Sequence, residues 1–81
     1  MPKLIIYVKP KFEEYEVKVY TYSDDGKLVS EESYTKVKQV VIKSPEIRLS
    51  RQLFHDYVAL IVDAEKPKVE VEEGGLLRVS G

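Results

Sequence analysis

At 81 residues, 43% of them hydrophobic, the chain has room for one domain (residues 1–81) with a modest core, and it is too apolar for a disordered tail. It contains no cysteine and one histidine, which excludes disulfide frameworks, zinc–cysteine sites and thiol nucleophiles and points to a reducing, cytoplasmic setting. The net charge of −1 leaves no general basic or acidic excess, and no apolar run approaches the ~18 residues of a membrane helix.

Val, Ile, Tyr, Phe and Thr supply 27 of the 81 residues, whereas alanine occurs only at Ala59 and Ala64. β-Branched and aromatic side chains fit a pleated, half-buried surface, so this balance predicts sheet. Leu4 to Val8 is apolar on both faces, as in a central strand, and reads as a first strand rather than a signal peptide. Pro10, which has no amide to donate, is expected to end or bend it. From Tyr15 to Tyr22 the pattern alternates, with Tyr15, Val17 and Val19 on one side and Glu16, Lys18 and Tyr20 on the other. Ser23-Asp24-Asp25-Gly26-Lys27 then supplies turn residues, with Gly26 free to take positive φ.

The return from Lys27 to Thr35 is polar, as an edge strand would be. Val37 to Lys43 reads as one stronger strand closed by Ser44-Pro45, after which Ile47 and Leu49 alternate with Glu46, Arg48 and Ser50. Residues 50–64 carry two patterns. Leu53, Tyr57, Leu60, Ile61 and Ala64 share a helical face with Ser50 as N-cap, whereas Tyr57 to Val62 is also a buried strand. Its β-branched residues lose χ1 freedom in a helix, so the strand is preferred, with a turn of 3₁₀ or α-helix at Ser50 to His55. Lys68 to Glu72 alternates again, Gly74-Gly75 marks a turn or bulge, and Leu76 to Val79 closes the chain's pattern. Six to seven short strands at this cadence predict an all-β fold, a small immunoglobulin-like or transthyretin-like β-sandwich. The alternative is α+β with one helix at about 51–64.

Asparagine is absent, glutamine occurs twice and methionine once, while charged residues reach 33%. That is a thermophilic trend, shared by designed proteins. Charge falls in blocks: +3 over residues 1–11, −5 over 12–34, +4 over 35–53 and −3 over 54–81. Such blocks neutralise one another when they become neighbouring strands.

Catalytic chemistry finds little support. His55 stands beside Asp56, but neighbours on a strand point to opposite faces, and no Gly-x-Ser-x-Gly elbow accompanies them. One histidine and no cysteine leave a metal without a ligand set, and Asp24-Asp25-Gly26 lacks the spaced ligands of a calcium loop. Gly74-Gly75 has no Lys-Ser/Thr after it to hold a phosphate. Glu13-Glu14, Glu31-Glu32 and Glu72-Glu73 are sequence neighbours, which straddle a sheet instead of sharing a cleft. No enzyme activity, cofactor, metal or small-molecule substrate is therefore expected.

Tyrosine is the unexplained surplus. Tyr20 and Tyr22 share a face with Lys18, and Tyr7, Tyr15 and Tyr34 extend the aromatic surface. Tyrosines bury much area at low entropy cost and are enriched at protein interfaces. The first expectation is thus a non-catalytic interaction module, self-associating through edge strands or a tyrosine-rich face with Tyr7, Tyr20, Tyr22 and Tyr34 as interface candidates. The alternative is a nucleic-acid-binding module in which Lys36, Lys38, Lys43, Arg48 and Arg51 meet phosphates while tyrosines stack on bases. The overall acidic balance disfavours it.

Overall fold

The computed structural model describes residues 2–44, 46–53 and 57–81, with the backbone alone described at 49–53 and 57. Every regular element among them is a strand: β1 (Lys3–Lys11), β2 (Glu14–Tyr22), β3 (Leu28–Val37), β4 (Gln39–Lys43), β5 (Glu46–Leu53), β6 (Tyr57–Asp63), β7 (Lys68–Glu72) and β8 (Leu76–Ser80). Two sheets result. The larger runs β3-β2-β1-β6-β5 and is antiparallel throughout, and the smaller runs β4-β8-β7 with β4 and β8 parallel. The chain is all-β, and the helix considered over 51–64 is not there: residues 51–53 and 57–63 are extended. The turn expected at Ser50 to His55 is likewise strand as far as Leu53. His55 and Asp56 lie outside the described residues, as does Pro45.

Period-2 alternation decides which side of each strand enters the core. Leu4 and Ile6 of β1 pair with Val62 and Leu60 of β6 and with Thr21 and Val19 of β2, so one face of the large sheet is apolar apart from Thr21 at its margin. Leu77 and Val79 of β8, flanked by Val40, Ile42 and Val69, form the matching face of the small sheet. Leu4, Ile6, Val17, Val19, Val37, Val62, Ala64, Leu77 and Val79 make one buried cluster between the two sheets. Each such large aliphatic contributes roughly 1.5–3 kcal/mol by leaving water. Among the described residues no polar or charged side chain is buried with them.

Three sequence expectations need correction. Among the described residues there are eight strands rather than six or seven, because Glu46–Leu53 is long enough to pair along β6. Pro10 does not end β1, which runs on to Lys11. It sits opposite Tyr15 on β2, beyond Val8↔Val58, the last described pairing with β6, so its missing amide interrupts no described ladder there. Val37 to Lys43 is not one strand. The chain leaves the large sheet at Val37, and Gln39 begins β4 in the small one.

That crossing is built by backbone conformation. Lys36 takes φ 57°, and Thr35 and Lys36 together face Glu16, so β3 bulges just before it ends. The carbonyl of Gly75, in the β7–β8 turn, then accepts hydrogen bonds from the amides of Lys38 (2.8 Å) and Gln39 (3.3 Å). Gly75 has φ 80°, and a Cβ there would lie 2.9 Å from the Lys36 carbonyl oxygen, so only glycine admits this approach. The crossing turns the β3 edge into the β4 edge of the opposite sheet and leaves the far side of the large sheet uncovered by any other described element.

Candidate functional site

The uncovered side of the large sheet collects the residues that alternate with the core. β1 presents Lys3, Ile5, Tyr7 and Lys9, while β2 presents Tyr22, Tyr20, Lys18 and Glu16 in the same rows. Tyr20 lies opposite Ile5, Ile5 opposite Ile61, and Ile61 opposite Arg48, so a single row crosses β2, β1, β6 and β5. Glu31 on β3 completes that row beside Tyr20. The next row carries Ser33, Lys18, Tyr7 and Ala59. Ile5, Tyr7, Tyr20, Tyr22 and Ile61 are half-buried by one another, and Ala59 is buried beneath them.

The rings are held in place. Tyr7 and Tyr20 meet edge to face with centroids 5.5 Å apart and planes at 90°. The Tyr20 hydroxyl donates a hydrogen bond to the Glu31 carboxylate. Partial desolvation first, and that carboxylate second, hold its pKa above the usual tyrosine value. At one margin Lys11 reaches Glu16 at 3.0 Å and, chiefly through that hydrogen bond, lowers the Glu16 pKa. At the other margin Arg48 pairs with Asp63 at 3.3 Å and with Glu46 at 3.7 Å. The surface is an aromatic and aliphatic centre with charges around it.

Of the four interface candidates, Tyr7, Tyr20 and Tyr22 share this face, and Tyr34 does not. Tyr34 pairs with Val17, packs against the core from the opposite side of the sheet, and donates a hydrogen bond to Glu32. Burial and that carboxylate push its pKa up to about 12. Tyr15 also lies on the inner side, opposite Pro10 and Val37. The residues that alternation did not flag are Ile61 and Ala59. They belong to a run read as buried on both sides, and only the β1–β6 register places them here.

The basic candidates disperse. Lys36 lies at the β3 bulge, Lys38 in the crossing with its ammonium 4.0 Å from Glu14, and Lys43 on β4 in the other sheet. Arg48 alone sits on the tyrosine face, and Arg51 is placed only by its backbone, opposite Ala59. The cations beside the tyrosines are instead Lys3, Lys9 and Lys18. Among the described residues no three histidine or acidic side chains come together as a metal site, and no helix is long and apolar enough to cross a membrane.

Compared with known proteins, the chain matches no family model, no curated protein and no solved structure.

Proposed function

We propose that this protein is a non-catalytic interaction module that self-associates through the uncovered face of its five-stranded sheet. The observation that carries this reading is the half-buried patch of Ile5, Tyr7, Tyr20, Tyr22 and Ile61 on a sheet face that no element among the described residues covers. Aromatic residues ringed by charge are the composition of an interface centre with a polar rim.

Face contact is favoured over edge pairing by the state of both edges. β3 has an extra residue at Val29 and another where Thr35 and Lys36 oppose Glu16, and β5 has one at Ser50. Bulges of this kind, with exposed charges such as Glu31 and Glu32, discourage strand addition. The cadence of short strands, with two sheets sharing one core, supports a small sandwich of the immunoglobulin-like or transthyretin-like kind as the scaffold for this face. Such a likeness concerns architecture and brings no activity with it.

Light scattering on a size-exclusion column, over a range of concentrations, tests the reading. Wild-type mass above the monomer, lost in Tyr20→Glu/Tyr22→Glu with strand content intact by circular dichroism, is the expected result. A monomer at every concentration overturns it.

A second reading, a single-stranded nucleic-acid surface, draws support from Lys3, Lys9 and Lys18 beside the three tyrosines rather than from Lys36, Lys38, Lys43 and Arg48. It predicts salt-steep binding of labelled oligonucleotides that weakens with Lys9→Ala and Lys18→Ala.

A further inference from the structure

Building on self-association through this face, we infer that two copies stack sheet to sheet about a two-fold axis running along β1, with Glu31 of each copy meeting the partner's Arg48. The inference comes from how charge is distributed across one row. Glu31, Tyr20, Ile5, Ile61 and Arg48 lie side by side on β3, β2, β1, β6 and β5, so the row begins with an anion and ends with a cation, with β1 in the middle. A two-fold axis along β1 exchanges the two ends of every row without shifting it along the strands. Glu31 then faces the partner's Arg48, Tyr20 faces the partner's Ile61, and Ile5 faces the partner's Ile5. In the neighbouring rows, Tyr22 faces the partner's Asp63 and Tyr7 faces the partner's Tyr7. An isologous contact requires such self-complementarity of one patch.

The competing two-fold, perpendicular to the strands, brings no such match. It reverses the order of rows, sets Lys3 against the partner's Lys9, and leaves Glu31 opposite the partner's Ser33. With the axis along β1, Lys3 and Lys9 each approach their own counterparts, but Asp63 flanks Lys3 and Glu16 flanks Lys9 in both copies. Stacked sheets cross at about 30°, which displaces the outer strands by less than one row. The extended side chains of glutamate and arginine span that offset.

The footprint suits a dimer of modest strength. Five strands spaced about 4.8 Å apart, and nine residues of β1 at about 3.3 Å each, outline roughly 600 Å² per copy. About 1,200 Å² over two copies stands at the small end of specific interfaces. The small sheet cannot offer the same contact, because its apolar side is already spent in the core.

Charge exchange tests the arrangement. Glu31→Arg alone sets two arginines against each other at both ends of the interface, and Arg48→Glu alone sets two glutamates there. Each is expected to weaken self-association about tenfold or more, since two symmetry-related pairs become repulsive at once. An equimolar mixture of the two variants restores attraction at both ends and forms a heterodimer by native mass spectrometry. The double variant Glu31→Arg/Arg48→Glu recovers a homodimer.

Arg48→Glu also puts a third carboxylate beside Glu46 and Asp63, so a second pair at the axis is used in parallel. Ile5→Lys and Ile5→Glu each repel their own copy and attract the other. Complementation of Glu31→Arg by Arg48→Glu carries the inference, whereas complementation at Ile5 alone shows face-to-face contact and overturns the Glu31–Arg48 pairing. A wild-type dimer that neither pair perturbs nor rescues overturns this arrangement and leaves face-mediated association standing, whereas a wild-type monomer overturns both.

Discussion

Tyr7 and Tyr20 touch on the diagonal of the β1–β2 ladder, one ring's edge against the other's face at 5.5 Å. Their direct partners are Lys18 and Ile5, so the contact joins two rows of the uncovered face and gives it a fixed shape before any partner arrives. An interface centre that is already ordered loses less side-chain freedom on binding. The same contact stabilises the monomer. A double-mutant cycle of Tyr7→Ala and Tyr20→Ala should give a coupling of about 0.5–1.5 kcal/mol. Urea unfolding, run at concentrations where the chain is monomeric, measures it, and additive single effects would show that the rings contribute only their buried area.

Gly75→Ala is expected to be far more damaging than the same change at the neighbouring Gly74. The added Cβ would lie 2.9 Å from the Lys36 carbonyl oxygen and 3.0 Å from the Lys38 amide nitrogen, both backbone atoms that cannot step aside. It would also hold an L-residue at φ 80°, at a cost of about 1–2 kcal/mol before any clash. Gly74→Ala has the same φ and nothing within 4 Å, so it isolates the conformational cost from the steric one. Thermal unfolding should place Gly75→Ala well below Gly74→Ala. Equal melting temperatures would mean that the crossing at Lys36 to Gln39 can relax.

These contrasts explain why some of the architecture was legible in the sequence and some was not. Alternation along β2 identified Val17 and Val19 as inward and Lys18 and Tyr20 as outward, because period 2 is a local property of the strand. The hairpin at Ser23–Lys27 was equally local, with Gly26 at φ 83° and its amide bonded to the Ser23 carbonyl at 3.0 Å. The break between Val37 and Gln39 left no such mark. Lys36 adopts positive φ without being glycine or asparagine, and the cause lies in Gly75, nearly forty residues away. The tyrosine face was half legible: Tyr20 and Tyr22 by alternation, Tyr7 as a further aromatic candidate. Only the pairing of β1 with both β2 and β6 joins them to Ile61, and only the β2–β3 register separates them from Tyr34. Register is a long-range quantity, and one residue of slip would have moved every side chain to the other face.

Phe12 is strained and unpacked at once. It opens the two-residue turn between the paired Lys11 and Glu14, takes φ 57°, and is 98% exposed. A bulky side chain in that region carries a penalty that glycine does not, and here no burial offsets it. Phe12→Gly should therefore stabilise the fold by about 0.5–1 kcal/mol, net of the extra freedom glycine brings to the unfolded chain. For a chain of this length that corresponds to a rise of several degrees in Tm. A fall in Tm by calorimetry would indicate that the aromatic ring makes a stabilising contact in solution.

Alkaline pH should find Tyr34 before the rest of the core. Burial and the hydrogen bond to Glu32 push its pKa up to about 12 from an ordinary value of 10. The native state then holds this proton more tightly than the unfolded chain does. The stability Tyr34 confers is whole below pH 10 and is lost progressively as pH rises towards 12, because the unfolded chain releases its proton first. Tyr20 acts in the same direction through its desolvation and Glu31, so the whole protein weakens in that range. Tyr34→Phe separates the two contributions. It removes a hydrogen bond worth about 0.5–1.5 kcal/mol at neutral pH, yet its stability should fall less steeply than wild type above pH 10. Chemical unfolding at pH 8, 10 and 11 gives the comparison. Parallel curves for the two proteins would mean that the Tyr34 hydroxyl titrates as freely in the fold as outside it.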